Sequence, residues 1–265
     1  MGGLRLYLEV ARRGFRRFAT YRAATVAGVS TNTVFGFVRA YILIALYHLR
    51  PHLGGLDLRQ VVTYTFVTQG YLMPMALFGW TEIEERVRTG DIIGDLYRPV
   101  DFQGYWLALD VGRAAYQFLA RGVPPVLVAA LFFSLRLPTP GEWALVVVSS
   151  ALGLAVSFGL RYLVNLTSFW LLDARGLSQM LVICEMFLGG IMIPITVFPH
   201  GLEAASRVLP FASVAYLPVE FFLGRHTGSD ALATLGIQAL WAVVLLGAGR
   251  IALGAVMRKL VVQGG

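Results

Sequence analysis

The apolar positions of the chain gather into six long runs divided by shorter polar stretches, over 24–48, 60–80, 112–134, 143–168, 178–198 and 233–256. An α-helix needs about 20 predominantly apolar residues to cross the hydrocarbon layer of a bilayer. The pattern therefore predicts an all-α integral membrane protein with six transmembrane helices in a single domain over 1–265. Ahead of the first run, Leu4, Leu8, Ala11, Phe15 and Phe18 recur at helical spacing, while Arg5, Arg12, Arg13, Arg16 and Arg17 fill much of the remaining surface. This predicts an amphipathic helix within 1–22, lying in the membrane interface with its arginines among the lipid headgroups.

Two connections are too long to be turns. Residues 81–111 open with the charged, amphipathic stretch Glu82-Ile83-Glu84-Glu85-Arg86-Val87-Arg88. Residues 199–232 carry Val208-Leu209-Pro210-Phe211 and Tyr216 through Gly224, which is too apolar for a free loop and too interrupted by proline for two ordinary spans. The second connection reads as a re-entrant pair of short helices before the last span. Such broken backbone persists at membrane depth only where protein or a cavity covers it.

Composition agrees. The chain is 57% hydrophobic and 14% charged, against about a quarter charged in a soluble domain. The net charge of +7 raises the question of nucleic acid, but no basic stripe is interleaved with aromatics, and the arginines sit mainly at the ends of the apolar runs. With the N-terminus inside, Arg5, Arg12, Arg13, Arg16, Arg17, Arg22, Arg86, Arg88, Arg98, Arg113, Arg175, Arg258 and Lys259 are cytoplasmic. Arg50, Arg59, Arg136, Arg207 and Arg225 are outside. This bias places both termini in the cytoplasm, in a multi-pass protein of a bacterial inner membrane. Residues 1–22 lack an apolar core followed by a cleavage site, so the first span is expected to direct its own insertion. Cys184 is the single cysteine, which rules out a disulfide framework or a thiolate metal cluster.

Catalytic patterns are missing. The one lysine, Lys259, precedes Leu260, so no P-loop is present, and ATP with its Mg must be bound by another chain if ATP drives this one. His48 and His52 are four apart, but Pro51 disfavours regular helix between them, and they read as part of a wet external loop. No nucleophile elbow occurs. No metal, cofactor or catalytic residue is expected in this chain. The ionisable residues inside the runs are the sharper features, because charge in hydrocarbon is costly and usually faces a bundle interior or a wet cavity. Arg39, Arg161 and Glu185 are the clearest. Glu185 is either a substrate or ion contact or the partner of an arginine, Arg39 being a candidate. Gln69, Asn165, Thr167 and Ser168 suit hydrogen bonds between helices. Gly189-Gly190 ahead of Pro194 suits a bend. Phe35, Phe37, Tyr41, Met73, Met75 and Trp80 either line an apolar path or pack the core.

With these residues in view, the chain resembles the ABC-2-type permeases, in the branch of viologen- or daunorubicin-like exporters. Tyr7-Leu8 through Arg22 is similar to that family's connecting helix. Ile83 through Ile92 and Asp95-Leu96-Tyr97-Arg98-Pro99 are similar to its loop after the second span, and Pro194–Pro199, Leu209-Pro210-Phe211 and Pro218–Gly224 to its segment before the last span. The resemblance implies two permease chains and two ABC ATPase chains, the permease pair being a heterodimer with a homodimer as the alternative. It implies that 82–98 is the coupling segment, with Glu82, Glu84, Glu85, Arg86, Arg88, Asp91 and Arg98 serving the ATPase. Arg39 and Glu185 would then lie on the translocation path, and Phe211, Tyr216 and Phe222 at its outer gate. An ion-coupled secondary transporter would call for more carboxyl groups inside the membrane. A membrane enzyme or scaffold would call for a catalytic constellation or a large binding domain.

Overall fold

A computed structural model describes residues 3–50, 53–171 and 173–263. Among them the regular structure is helical. Helix α1 (Leu4–Ala19) is followed by α2 (Arg22–Leu49), α3 (Leu58–Tyr71), α4 (Glu82–Thr89) and α5 (Ile92–Leu96). Next come α6 (Phe102–Gln117), a π-helical turn (Phe118–Gly122), α7 (Val123–Phe132) and α8 (Pro140–Leu166). The chain ends in α9 (Arg175–Leu188), α10 (His200–Val208), α11 (Pro210–Val214), α12 (Tyr216–Phe222) and α13 (Gly228–Gln263). Pro51 and His52 lie outside the described residues; His48 stands in the last turn of α2 and is exposed.

Four helices among the described residues are long and apolar enough to cross a membrane: Arg22–Leu49, Phe102–Phe132, Pro140–Phe169 and Gly228–Lys259. The run over 112–134 therefore begins ten residues earlier than its hydropathy suggests. Asp101 is the reason: its Oδ1 accepts from the Gly104 N–H at 2.6 Å and caps α6, so the connection expected over 81–111 closes at 101. Arg113 consequently lies within the helix and not in a cytoplasmic loop.

The runs over 60–80 and 178–198 form helices of only 14 residues each, α3 and α9. Proline explains the first. Pro74 has no N–H and disfavours helix at the residue before it, and the chain passes through turns to Gly79 at φ +86°. In the second, Gly190 takes φ +67° directly after α9 and breaks the helix ahead of Pro194.

Helix α1 packs along α6 at glycine. A Cβ on Gly14 would strike the Leu109 carbonyl, and one on Gly112 would strike the carbonyl of Ala11. The seam therefore runs through Val10 and Gly14 with Phe15 against Tyr116; Leu4 and Leu8 of the expected apolar stripe stay exposed. Helices α8 and α13 pack together at the centre. Helices α11 and α12 lie against α8, where residues 212–223 are buried. Gln238 on α13 joins the three by accepting from the Ser149 hydroxyl at 2.8 Å and donating to the Ser213 carbonyl at 2.9 Å.

Candidate functional site

The charged connection after α3 folds into α4 and α5, and its residues divide into two groups. One group holds the segment together. Arg86 pairs with the buried Asp95, which Arg98 also meets at 3.0 Å. Glu84 is 7% exposed, and its backbone N–H donates to Asn165 Oδ1 on α8 at 3.1 Å. Glu82 receives Arg17 of α1 at 2.6 Å. Gly90, left-handed at φ 83°, ends α4 and turns the chain into α5. The other group faces outward: Glu85, Arg88 and Asp91 are exposed, and on the same segment Ile93 and Tyr97 are 53% and 85% exposed. Nothing in the sequence distinguishes Ile93 from the buried Ile83 and Ile92 of the same segment.

The unwound end of α3 is closed by buried polar side chains. Arg113 donates to the Met73 and Pro74 carbonyls at 2.8 and 2.7 Å, and Ser157 donates to Met75 O at 2.6 Å. Asp110 accepts from Arg113 at 2.7 Å and from Arg161 at 2.8 Å. Glu185, 1% exposed, faces the same region beside Asn165, Ser178 and Arg161 in a narrow cavity. Among the described residues neither of its carboxyl oxygens has a hydrogen-bond partner, and the opposite charge that reaches it is Arg161. Arg39 is not its partner.

Arg39 instead serves the unwound end of α9. Its Nη1 donates to Gln69 Oε1 at 2.9 Å and its Nη2 to the Ile191 carbonyl, while the Tyr64 hydroxyl donates to Gly190 O. Gln69 passes the network on, donating to Asn32 Oδ1 at 2.9 Å. Phe35, Met73, Arg39 and Gln69 line one groove with Asn32 and Arg121. Trp80 packs on Trp106, and Phe37 on Phe66, Phe132 and Phe133.

The remaining site residues are inside the protomer. Tyr216 packs on Tyr64, and Phe222 packs on Trp143; Phe211 is half-buried. They do not converge with Arg39 or Glu185 on one cavity. Asp110, Asn32, Tyr64 and Arg121 are the polar residues that sequence reasoning missed. For Arg121 a marker existed: it stands inside an apolar run, directly before Gly122-Val123-Pro124-Pro125.

Long apolar helices joined to two broken ones, with charged side chains buried between them, are the architecture of a multi-pass membrane protein. Residues 34–264 match the family described as ABC-2 family transporter protein, and the chain belongs to that family. The match takes in everything from α2 onward except its first turns and leaves out α1. Membership implies a membrane and an ABC ATPase partner. No curated protein and no solved structure matches the chain.

Proposed function

We propose that the chain is the membrane permease subunit of an ATP-driven ABC-2-type exporter, in the viologen- or daunorubicin-like branch, and forms half of a translocation path by alternating access. The observation that carries this is the α4–α5 unit. It is a charged helical turn braced from behind by Asp95 and Asn165, with Glu85, Arg88, Ile93 and Tyr97 outward, on a chain whose sequence has no P-loop. In this reading the outward face seats in an ATPase subunit, which binds ATP with Mg. Closure of two ATPase chains pushes α4. The push reaches α8 through the hydrogen bond at Asn165 and α1 through the Arg17–Glu82 ion pair. Nucleotide can drive this only by binding one conformation better than the other.

The membrane crossings are six in this reading, the two short ones being α3 and α9 with their unwound ends. Residues 199–232 form the re-entrant segment on the outer side, with Phe211, Tyr216 and Phe222 fixing it as a unit so that it gates by moving whole. Helix α1 is the connecting helix at the cytoplasmic interface, both termini are cytoplasmic, and a second permease, of different sequence, completes the path in a bacterial inner membrane. An ion-coupled transporter would have to work through Glu185, because Asp110 is already held by two arginines. The test is purification in mild detergent with identification of every co-purifying chain. An ABC ATPase is expected; recovery of the chain without one, in a preparation that remains folded, would refute the assignment.

A further inference from the structure

A groove of about 680 Å³ runs between α2, the unwound end of α3, the π-helical turn and the stretch after α9. Its walls are apolar, with Phe35 and Met192 on them; Arg39, Arg121, Asn32 and Gln69 supply the polar groups. None of its lining residues is acidic. Among the described residues the two arginines give their hydrogen bonds to neutral acceptors. Arg39 serves Gln69 and Ile191. Arg121 reaches the Ala24 carbonyl at 3.5 Å, and its Nε is buried with no partner among the described residues. Elsewhere in this chain a buried arginine is matched by a carboxylate, as Arg113 and Arg161 are by Asp110. Guanidinium groups left unmatched at membrane depth are costly unless a counter-charge or water reaches them.

Arg121 reaches α2 at Gly28, where an added Cβ would meet the far end of its flexible side chain. Arg121 also sits in the π-helical turn, a rare geometry that is enriched where helices carry function.

We propose that this groove binds an amphipathic anion, a carboxylate, phosphate or sulfate head held by Arg39 and Arg121 with an apolar body against Phe35 and Met192. Guanidinium forks match the planar oxygens of such heads. The volume falls in the range of about 300–1,000 Å³ that takes drug-sized molecules, so the occupant is a single-tailed amphiphile and not a two-tailed bilayer lipid. That the bound molecule is also the transported substrate rests on the permease reading above.

The test uses the chain with its co-purified partners in phosphatidylcholine nanodiscs, and follows displacement of the fluorescent fatty acid parinarate. Dodecanoate and dodecyl phosphate are expected to displace it and dodecyltrimethylammonium is not. Arg39→Gln and Arg121→Gln should each weaken binding about tenfold, the effect of losing one charged hydrogen bond, and Arg39→Lys should recover most of it. Thr31→Asp, which leaves both arginines in place and adds a carboxylate at the groove, should weaken binding as much. Equal displacement by the ammonium amphiphile, or wild-type binding in the folded Gln and Asp variants, overturns the proposal. Displacement by phosphatidylglycerol built into the nanodisc overturns it in favour of a lipid site. Absent parinarate binding with an ATPase still co-purifying defeats this inference alone; parinarate binding without an ATPase defeats the permease reading alone.

Discussion

Two helix ends unwind inside this chain, and they are closed in electrically opposite ways. At the end of α3, Arg113 and Ser157 take up the freed carbonyls, and Asp110 sits between Arg113 and Arg161. With Glu185 nearby, two acids stand against two arginines there. At the end of α9, Tyr64 and Arg39 take up the carbonyls, and no acid accompanies Arg39 or Arg121 among the residues of their groove. At both ends the freed backbone carbonyls are taken up by side chains, as buried backbone requires. At the first the arginines are matched by acids, whereas at the second no acid stands beside Arg39 or Arg121 in their groove. An arginine packed among helices is therefore not one kind of feature, and the acid beside it, or its lack, separates brace from proposed binding site.

The comparison breaks hardest at Asp110. Asp110→Asn removes the one carboxylate between two buried arginines, and loss of one member of a buried pair costs about 3–5 kcal/mol. The expected outcome is a large fall in thermal midpoint and in yield. If Asp110→Asn were as stable as wild type, the α3 closure would not be the brace described. Arg39→Gln and Arg121→Gln should behave differently, changing stability by about 1 kcal/mol, the net worth of an ordinary hydrogen bond, because no ion pair is lost. Equal destabilisation by Arg39→Gln and Asp110→Asn would erase the contrast.

Glu185→Gln tests a smaller difference. Among the described residues its carboxyl oxygens have no hydrogen-bond partner, and Arg161 is already held by Asp110. Its loss should cost about 1 kcal/mol or less, well below Asp110→Asn, and a cost equal to that of Asp110→Asn would show that the two acids act as one cluster.

A third cluster, outside the spans, adds a pH-dependent case. Glu220 meets His226 at 3.0 Å and Arg207 at 3.4 Å, with Arg225 at 3.7 Å and Asp230 on the other side of the imidazole. Burial lowers the His226 pKa, but its bonds to Glu220 and Asp230 outweigh this and raise it above 6.5. Burial raises Glu220, but the His226 bond and Arg207 hold it below 4.5. His226 therefore stabilises the fold fully below its unfolded value, and that contribution is lost as pH rises through the raised folded value. Glu220 contributes above its unfolded value and loses its contribution as pH falls through the depressed one. Hydrogen-exchange protection across α12, taken relative to the intrinsic exchange rate at each pH, should be greatest between about pH 4.5 and 6.5 and should fall at higher pH. His226→Gln should flatten the alkaline limb; an unchanged limb would assign the effect elsewhere.

Much of the helical frame was legible from hydropathy, because a bilayer imposes run length on a helix. The charges of the α4–α5 segment were legible too. What periodicity does not carry is which face of that segment is spent internally. Glu84 and Arg86 look as available in the sequence as Glu85 and Arg88, and only packing on Asn165 and Asp95 separates them. Helix ends at Tyr71 and Leu188 were obscured because the residues after them remain apolar; Met73-Pro74 and Gly189-Gly190 marked the breaks, though not what would close them. The partner of Arg161 was hidden in the same way. Asp110 was counted into a loop, since the run over 112–134 appeared to start after it.

The central claim, that α4–α5 is where an ATPase drives this chain, is open to one direct measurement. Cysteine is placed singly at Ile93, Tyr97 or the inward Ile83, which is 0% exposed, in a background with Cys184 replaced by serine. Each variant is then crosslinked within the purified complex with and without ATP. The account predicts that Ile93→Cys and Tyr97→Cys join the permease to the ATPase chain, with yields that change on nucleotide binding, and that Ile83→Cys does not. A folded complex in which neither outward position reaches the ATPase, or in which Ile83→Cys does so equally well, would contradict it.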